Sequence, residues 1–125
     1  MNILMLKSKI HKARLTSCDV DYEGSLEIDM NILKEAGILA YEKILVVNAT
    51  NAERLETYAI PGKAGSKVFR LNGAAAHKGN PGDVVTIMAF CACSEKNALS
   101  VVPKIIIMDE KNNIVLKKGS AKDKK

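Results

Sequence analysis

Aromatic residues are scarce in this chain of 125 residues, which has no Trp, three Tyr and two Phe. Its core must therefore be built from aliphatic side chains, and a small core of this kind often gains stability from oligomerisation. The shortage also argues against a surface that stacks nucleic-acid bases. No apolar run reaches the roughly 18 residues of a membrane-spanning helix. Lys7, Lys9 and His11 come too early for the apolar segment of a signal peptide.

Cysteine is equally sparse. Cys18, Cys91 and Cys93 make an odd count with no disulfide framework, which favours a reducing cytoplasm. Cys91 and Cys93 are two positions apart and would share one face of a strand, as half of a metal site would. With two His in the chain and no second cysteine pair, buried apolar cysteines are the favoured interpretation, and no metal is expected.

The net charge of +5 is unevenly placed along the chain. Residues 117–125 contain five Lys and one Asp, so the rest of the protein is close to neutral. We therefore expect a folded domain at residues 1–118, a basic, disordered tail at residues 119–125, and no nucleic-acid partner. Salt-dependent nucleic-acid binding by a chain without the tail would contradict this expectation.

Short runs rich in Val, Ile and Thr recur along the chain and are typical of an all-β barrel or sandwich. The predicted strands are Ile3–Leu6, Ile10–Asp19, Ser25–Asp29, Lys43–Ala49, Arg54–Ile60, Lys67–Asn72, Asp83–Cys93, Val101–Met108 and Asn113–Lys117. Turn-forming residues separate them, at Asn51-Ala52, Pro61-Gly62, Asn72-Gly73, Asn80–Asp83 and Lys111–Asn113.

Two short helices interrupt this β pattern. Asp29 is placed to cap the first turn of one helix, and Gly37 fits its left-handed end. The apolar positions that would face one way between them are Ile32, Leu33 and Ala36. Ser94 is placed to open a second, shorter helical turn. The sequence therefore predicts one mainly β domain with one or two short helices.

The dipeptide Gly24-Ser25 carries the most specific chemistry, although Gly-Ser between two strands is usually a simple turn. A Ser hydroxyl can attack the carbonyl carbon of the preceding residue and move the acyl group from nitrogen to oxygen. Elimination from the resulting ester leaves a dehydroalanine, which hydrolyses to a pyruvoyl group. Gly24 suits this reaction because it leaves the carbonyl unshielded and tolerates strained backbone angles. The attack also needs a donor to the developing oxyanion.

Five motifs, in order and in spacing, resemble the pyruvoyl-dependent aspartate 1-decarboxylases over about residues 1–118. They are His11–Thr16, Tyr22–Ser25, Arg54–Ile60, Asn72–His77 and Gly82-Asp83. The resemblance implies a double-psi β-barrel and a homotetramer. It also implies the conversion of L-aspartate to β-alanine and CO2 for pantothenate (coenzyme A) synthesis. Ala52 departs from the family, which often has Gly after Asn51.

The resemblance also implies roles for individual residues. Gly24–Ser25 would be the bond that the chain cleaves in itself, and Ser25 would become the covalently bound pyruvoyl group. Thr57 is similar to the residue that assists this cleavage and then contacts substrate, and Tyr58 is similar to the proton donor. A pyruvoyl carbonyl can condense with the amine of the substrate and accept the electrons released as CO2 departs, as pyridoxal phosphate does.

Substrate-binding residues follow from the same resemblance. They are Lys9, Arg54, Thr57, Asn72, Gly73, Ala74 and Ala75, with His11, Tyr22 and Ala76 nearby. The chemistry agrees, because aspartate carries two carboxylates and the planar guanidinium of Arg54 matches a carboxylate with two hydrogen bonds. Lys9 is expected to act as a charged group rather than as an imine-forming amine.

Simpler interpretations exist for several of these residues. Arg54 on a strand is, without the resemblance, more often a solvated charge. Thr57 and Tyr58 are common strand residues that would pair across a sheet. Asn72-Gly73 is a strong hairpin-turn signal.

Three other functions remain as alternatives to the decarboxylase. The main one is a small β-barrel that binds nucleic acid through its lysines, against which stand the near-neutral body and the few aromatic residues. A hydrolase that pairs Ser25 with a His lacks the strand–turn–helix context of a nucleophile elbow. An unprocessed barrel with a structural or regulatory role would keep the fold without the activity.

Overall fold

A computed structural model describes residues 1–119; the predicted tail lies, from residue 120 onward, outside the described residues. Within that range the protein is mainly β, as predicted. Its strands are β1 (Asn2–Arg14), β2 (Ser17–Asp19), β3 (Ser25–Asp29), β4 (Lys43–Asn48), β5 (Arg54–Gly62), β6 (Phe69–Asn72), β7 (Val84–Ser94), β8 (Lys104–Met108) and β9 (Ile114–Lys118). Its helices are α1 (Met30–Ala36), α2 (Glu95–Ala98) and one 3₁₀ helix (Gly73–Lys78). None of these helices is long and apolar enough to cross a membrane.

The strands form one sheet in the order β2-β6-β3-β5-β4-β7-β1-β8-β9. Only two residues separate β1 from β2 in the chain, yet five other strands lie between them in the sheet. The sheet must therefore curve back towards its own edge. Backbone hydrogen bonds mark this return: Thr16 N donates to Phe69 O of β6 over 2.8 Å, and Leu15 N donates to Asp83 O over 2.9 Å.

Alternation of side chains along the central strands divides the sheet into a core face and an outer face. Leu26 and Ile28 of β3 pair with Leu71 and Phe69 of β6 and are buried in the core. Ser25 and Glu27, which alternate with them, point to the outer face. The remaining core is almost entirely aliphatic, as the composition predicted, and Phe69 is its only aromatic side chain among the described residues.

Helix α1 confirms its predicted limits. The Asp29 side chain accepts a hydrogen bond from Asn31 N over 2.8 Å, and Gly37 ends the helix with φ of +72°. The apolar positions predicted to share one face are all buried. Helix α2 also begins as predicted, because Ser94 Oγ accepts from Asn97 N over 3.2 Å.

Two strand predictions were wrong at the N-terminus. The predicted runs Ile3–Leu6 and Ile10–Asp19 form a continuous strand β1 that ends at Arg14, followed by the separate strand β2. The polar interruption does not end the strand because backbone pairing with β7 continues across a bulge next to Lys7. The Lys7 ammonium is held at 2.7 Å from the Glu42 carboxylate.

Two predicted turns were also wrong. Pro61-Gly62 belongs to β5, where Pro61 is exposed and its residue pair is Ile28 of the parallel strand β3. Asn72-Gly73 is not a hairpin turn, since Gly73 instead opens the 3₁₀ helix and the next strand, β7, pairs with β1 and β4. Turn propensity is local, whereas both positions are decided by partners distant in the chain.

Candidate functional site

Ser25 lies at the first position of β3, between β6 and β5 in the sheet. Its side chain is 1% exposed, whereas Gly24 before it is exposed. Asn72 Nδ2 donates to Ser25 Oγ over 3.2 Å, and Ser25 Oγ donates to the carbonyl oxygen of Glu23 over 3.4 Å. The hydroxyl is thus oriented by two fixed groups beside the peptide bond that joins it to Gly24.

The backbone of Gly73 lies close to the segment that precedes Ser25. A methyl group built at Gly73 would lie 2.6 Å from Gly24 Cα and 3.0 Å from Tyr22 O, so only glycine fits. Gly73 also has φ of +71°, which disfavours other residues. Gly24 itself is not among the glycines with positive φ, and a methyl group there would have no neighbour within 4 Å. The backbone conformation that requires glycine is therefore found at Gly73 and not at Gly24.

Strand β5 pairs with β3 on the side opposite β6, and Thr57 and Tyr58 come just before its first residue paired with β3. The parallel pairing of β3 with β5 begins at Leu26 and Ala59. Continued backwards by one and two residues, this register aligns Ser25 with Tyr58 and Gly24 with Thr57. Alternation along β5 puts Tyr58 on the same outer face as Ser25 and directs Thr57 to the core face.

Tyr41 completes the surroundings of Tyr58 and was not identified from the sequence. The two rings are 6.3 Å apart and tilted by 35°. Tyr41 N donates to Ala59 O over 2.7 Å, which fixes the backbone of Tyr41 beside β5. An exposed Tyr after an Ala in a turn carries no signal of this contact, because only the pairing of distant strands creates it.

Arg54 lies at the start of β5, exposed and on the same face as Tyr58. The two are four positions apart, or about 13 Å along a strand. The guanidinium must therefore point along the strand to reach a molecule next to Ser25.

Lys9 and His11 lie on β1, which is four places from β3 in the order of the sheet. The register can be followed strand by strand from β1 to β5. Lys9 of β1 pairs with Met88 of β7, which also pairs with Leu45 of β4. Leu45 in turn pairs with Glu56 of β5. Three strand spacings, roughly 14 Å, thus separate Lys9 from β5.

His11 lies on the same distant strand and is held through its ring. Its Nδ1 is 3.3 Å from Thr86 Oγ1 of β7. Burial lowers the pKa of His11, and the positive charges of Lys9 and Lys12 lower it further, so the imidazole is neutral at neutral pH.

The 3₁₀ helix carries Ala74, which is exposed, Ala75, which is half-buried, and Ala76, which is buried. Its last carbonyl, that of Lys78, accepts from Asn48 Nδ2 over 3.1 Å and from Asn51 Nδ2 over 2.9 Å. The anchoring role of Asn48 was not recognised from the sequence, where it reads as the polar end of an apolar run.

Asn72 has an unusual environment for a buried amide. It is 0% exposed, and while its Nδ2 bonds Ser25, its Oδ1 has no hydrogen-bond partner within residues 1–119. Buried acceptors are nearly always paired, so a free one next to a candidate reacting atom is a functional signal. No group of three or more His, Cys, Asp and Glu side chains in the described part of the chain is arranged to hold a metal ion.

The fold and site together define a small, mainly β protein with a buried, hydrogen-bonded serine immediately after an exposed glycine. The family model described as aspartate decarboxylase matches residues 1–115, and the chain therefore belongs to the aspartate decarboxylase family.

Several curated relatives support this assignment over nearly the whole chain. Aspartate 1-decarboxylase of Coprothermobacter proteolyticus is 54% identical over 114 residues, which are 91% of this chain and 93% of that protein. The enzyme of the same name from Chlorobium phaeobacteroides is 50% identical over 113 residues, 90% of this chain and 86% of the relative. That from Alcanivorax borkumensis is 47% identical over 114 residues, 91% and 90% of the two chains.

Proposed function

We propose that this chain is a self-processing aspartate 1-decarboxylase that converts L-aspartate to β-alanine and CO2 for pantothenate synthesis. The observation that carries the proposal is the buried Ser25 hydroxyl, held at 3.2 Å by Asn72 and directly following the exposed Gly24. Family membership over residues 1–115 supplies the reaction. The three free thiols fit a protein that works in the reducing cytoplasm.

Processing begins when Ser25 Oγ attacks the carbonyl carbon of Gly24. The peptide C–N bond breaks and an ester forms. Elimination across the Cα–Cβ bond of Ser25 then releases the Gly24 carboxylate and leaves a dehydroalanine, from which water releases ammonia to give pyruvoyl. Asn72 Nδ2 orients the attacking oxygen. Thr57, which comes opposite Gly24 if the register of β3 with β5 is extended by two residues, supplies a hydroxyl donor to the carbonyl.

The residues around position 25 fit a pyruvoyl group. The Asn72 amide lies against the Ser25 side chain, and its free Oδ1 is an acceptor for a substrate N–H. The space next to Gly24 is open, so the new chain end and a substrate have room there. When bound, the pyruvoyl carbonyl supplies the electron sink for loss of CO2.

The other side chains bind the substrate and move a proton. Arg54 holds one carboxylate of aspartate with two hydrogen bonds, and the backbone of Gly73, Ala74 and Ala75 lines the bound molecule. Tyr58, aligned with Ser25 on the outer face, donates the proton to the α-carbon after CO2 leaves.

The proposed quaternary structure is a homotetramer of double-psi β-barrels. The curvature that returns β1 towards β6 and the mixture of parallel and antiparallel pairs support a barrel. A tetramer also explains how Lys9 can take part in the site although it lies about three strand spacings from β5 on its own chain. In the assembly Lys9 and His11 of one subunit complete the site around Ser25 of another.

Denaturing mass spectrometry of the purified protein tests the processing step. We expect two fragments, residues 1–24 and residues 25–125, with the second starting in pyruvoyl. Ser25→Ala should stay one intact chain that releases no CO2 from aspartate. Ser8→Ala is a matched control, because Ser8 is also 1% exposed but does not follow a glycine. Decarboxylation by a chain without a pyruvoyl end would overturn the proposal.

A further inference from the structure

Three sulfur-containing residues occupy neighbouring positions on one face at the end of the β1–β7 pair. Cys91 and Cys93 of β7 are separated by one residue and so point to the same face. Met5 of β1 is directly opposite Cys91 in the antiparallel register and shares that face. The side chains of such a pair start about 4.5–5.5 Å apart at Cβ, within reach of a long thioether.

These side chains lie beyond the hydrophobic core. Ala89, the preceding residue on this face of β7, is fully buried in the core cluster, whereas Cys91, Cys93 and Met5 are half-buried. The expectation that both cysteines are buried apolar side chains is therefore wrong. Cys18, by contrast, packs against the core cluster.

A disulfide does not suit this geometry. Residues two apart in a strand have Cα atoms about 6.7 Å apart with parallel side chains, whereas a disulfide needs Cβ atoms at about 3.8 Å. A bridging metal ion with bonds of about 2.3 Å to each sulfur spans a much longer gap. Loss of solvent around the thiol raises the pKa of Cys93, and the neighbouring Cys91 thiol raises it further.

We propose that Met5, Cys91 and Cys93 form a binding site for a soft monovalent cation, Cu(I). Two thiolates and one thioether are the donor set that this ion prefers, while Zn²⁺ favours four N or S ligands in a tetrahedron. Neither His11 nor His77 belongs to this group, because His11 is six positions from Met5 along β1 and His77 lies in the 3₁₀ helix.

Anaerobic titration of the reduced, full-length protein with Cu(I) against a chromogenic Cu(I) chelator tests the site. We expect one chelator-resistant Cu(I) per chain, and loss of that binding in Cys91→Ser and in Cys93→Ser. Met5→Leu should keep the stoichiometry and lower the affinity. Cys18→Ser, which removes the third thiol of the chain, should bind as the unchanged protein does.

The outcomes separate a built site from unspecific thiol chemistry. Equal loss in Cys18→Ser, wild-type binding in either β7 variant, or an unchanged affinity in Met5→Leu overturns the three-sulfur site. Displacement of Cu(I) by equimolar Zn²⁺ overturns the preference for a soft ion. Circular dichroism and the degree of chain cleavage, measured on every variant, must match those of the parent protein.

Discussion

Asn48 and Asp83 form a buried amide–carboxylate hydrogen bond of 2.9 Å that fixes the far end of the 3₁₀ helix. The same Asn48 Nδ2 donates to the carbonyl of Lys78, and Asp83 Oδ2 also accepts from Asn80 N over 2.9 Å. At the near end of the helix, Gly73 packs closely against Gly24, and Asn72 just before it donates to Ser25 Oγ. The candidate substrate loop is therefore held at both ends.

Asn48→Ala should destabilise the fold by about 1–3 kcal/mol, because it leaves the buried Asp83 carboxylate with one donor fewer. It should also raise KM for aspartate more than it lowers the extent of chain cleavage, since only the far end of the loop is released. Urea unfolding in a Ser25→Ala background, which keeps every chain in one piece, measures the first effect. Asn51→Ala is the control, as Asn51 is exposed and bonds the same Lys78 carbonyl. Equal unfolding midpoints for the two variants would contradict the role of the buried pair.

Gly73→Ala should block or strongly slow self-cleavage. The added methyl would lie 2.6 Å from Gly24 Cα, and this contact displaces the segment that must present its carbonyl to Ser25. Gly65→Ala is the matched control, because Gly65 has a similar φ of +83° but no atom within 4 Å of the added methyl. The fraction of cleaved chain, followed by mass spectrometry over time, distinguishes the steric effect from backbone strain. Similar rates of self-cleavage in Gly73→Ala and Gly65→Ala would contradict the steric explanation.

Arg54→Lys should reduce kcat/KM for aspartate well beyond twofold and leave chain cleavage unchanged. Lys cannot replace the two parallel hydrogen bonds that a guanidinium makes to a carboxylate. Arg14→Lys, at the end of β1, should have no such effect. If Arg54→Lys retains kcat/KM within a factor of about two, which is less than 1 kcal/mol, Arg54 does not bind the substrate in this way.

Mixed oligomers test whether Lys9 acts across a subunit boundary. Lys9→Ala and Ser25→Ala should each be nearly inactive alone. Co-expression of the two chains should restore part of the activity, because some sites then combine a processed Ser25 from one chain with Lys9 from the other. Co-expression of Arg54→Ala with Lys9→Ala,Ser25→Ala provides no complete site and is the negative control. Absence of recovery in oligomers shown to be mixed would place Lys9 in its own chain's site or outside any site.

Asp29 should make stability depend on pH in the acidic range. Burial disfavours its charge, but hydrogen bonds from the backbone N–H groups of Lys67, Asn31 and Gly65 outweigh that effect and lower its pKa. Because the folded-state pKa is below the unfolded value of about 3.9, the contribution is full above that pH and is lost as pH falls through the folded pKa.

The measurement is urea unfolding of the Ser25→Ala chain with and without Asp29→Asn, between pH 7 and pH 3. The stability difference between the two should be constant from pH 7 to about pH 5 and shrink below about pH 4. Asp21→Asn, at an exposed position, should show a much smaller difference at every pH. A difference that does not change with pH would show that the Asp29 charge contributes nothing.

The sequence by itself determined the class of the fold, the family and the two capped helices. These features depend on contacts between residues a few positions apart, so the sequence alone is enough to predict them. They are the alternating β-branched residues of the strands, Asp29 before the apolar face of α1, and Gly37 after it. The same holds for Gly24-Ser25, whose proposed chemistry involves a single peptide bond.

Tertiary structure alone decided which residues surround that bond. Nothing local places Asn72 against Ser25, Tyr41 against Tyr58 or Asn48 beneath the 3₁₀ helix, because each contact depends on the register of strands far apart in the chain. Long-range pairing also explains why Pro61-Gly62 belongs to a strand and not to a turn. In the same way, pairing with β7 explains why β1 continues through the polar residues 7–9. Local propensity indicates which segments form strands, but the partner and register of each strand depend on residues far apart in the chain, and these decide which side chains meet.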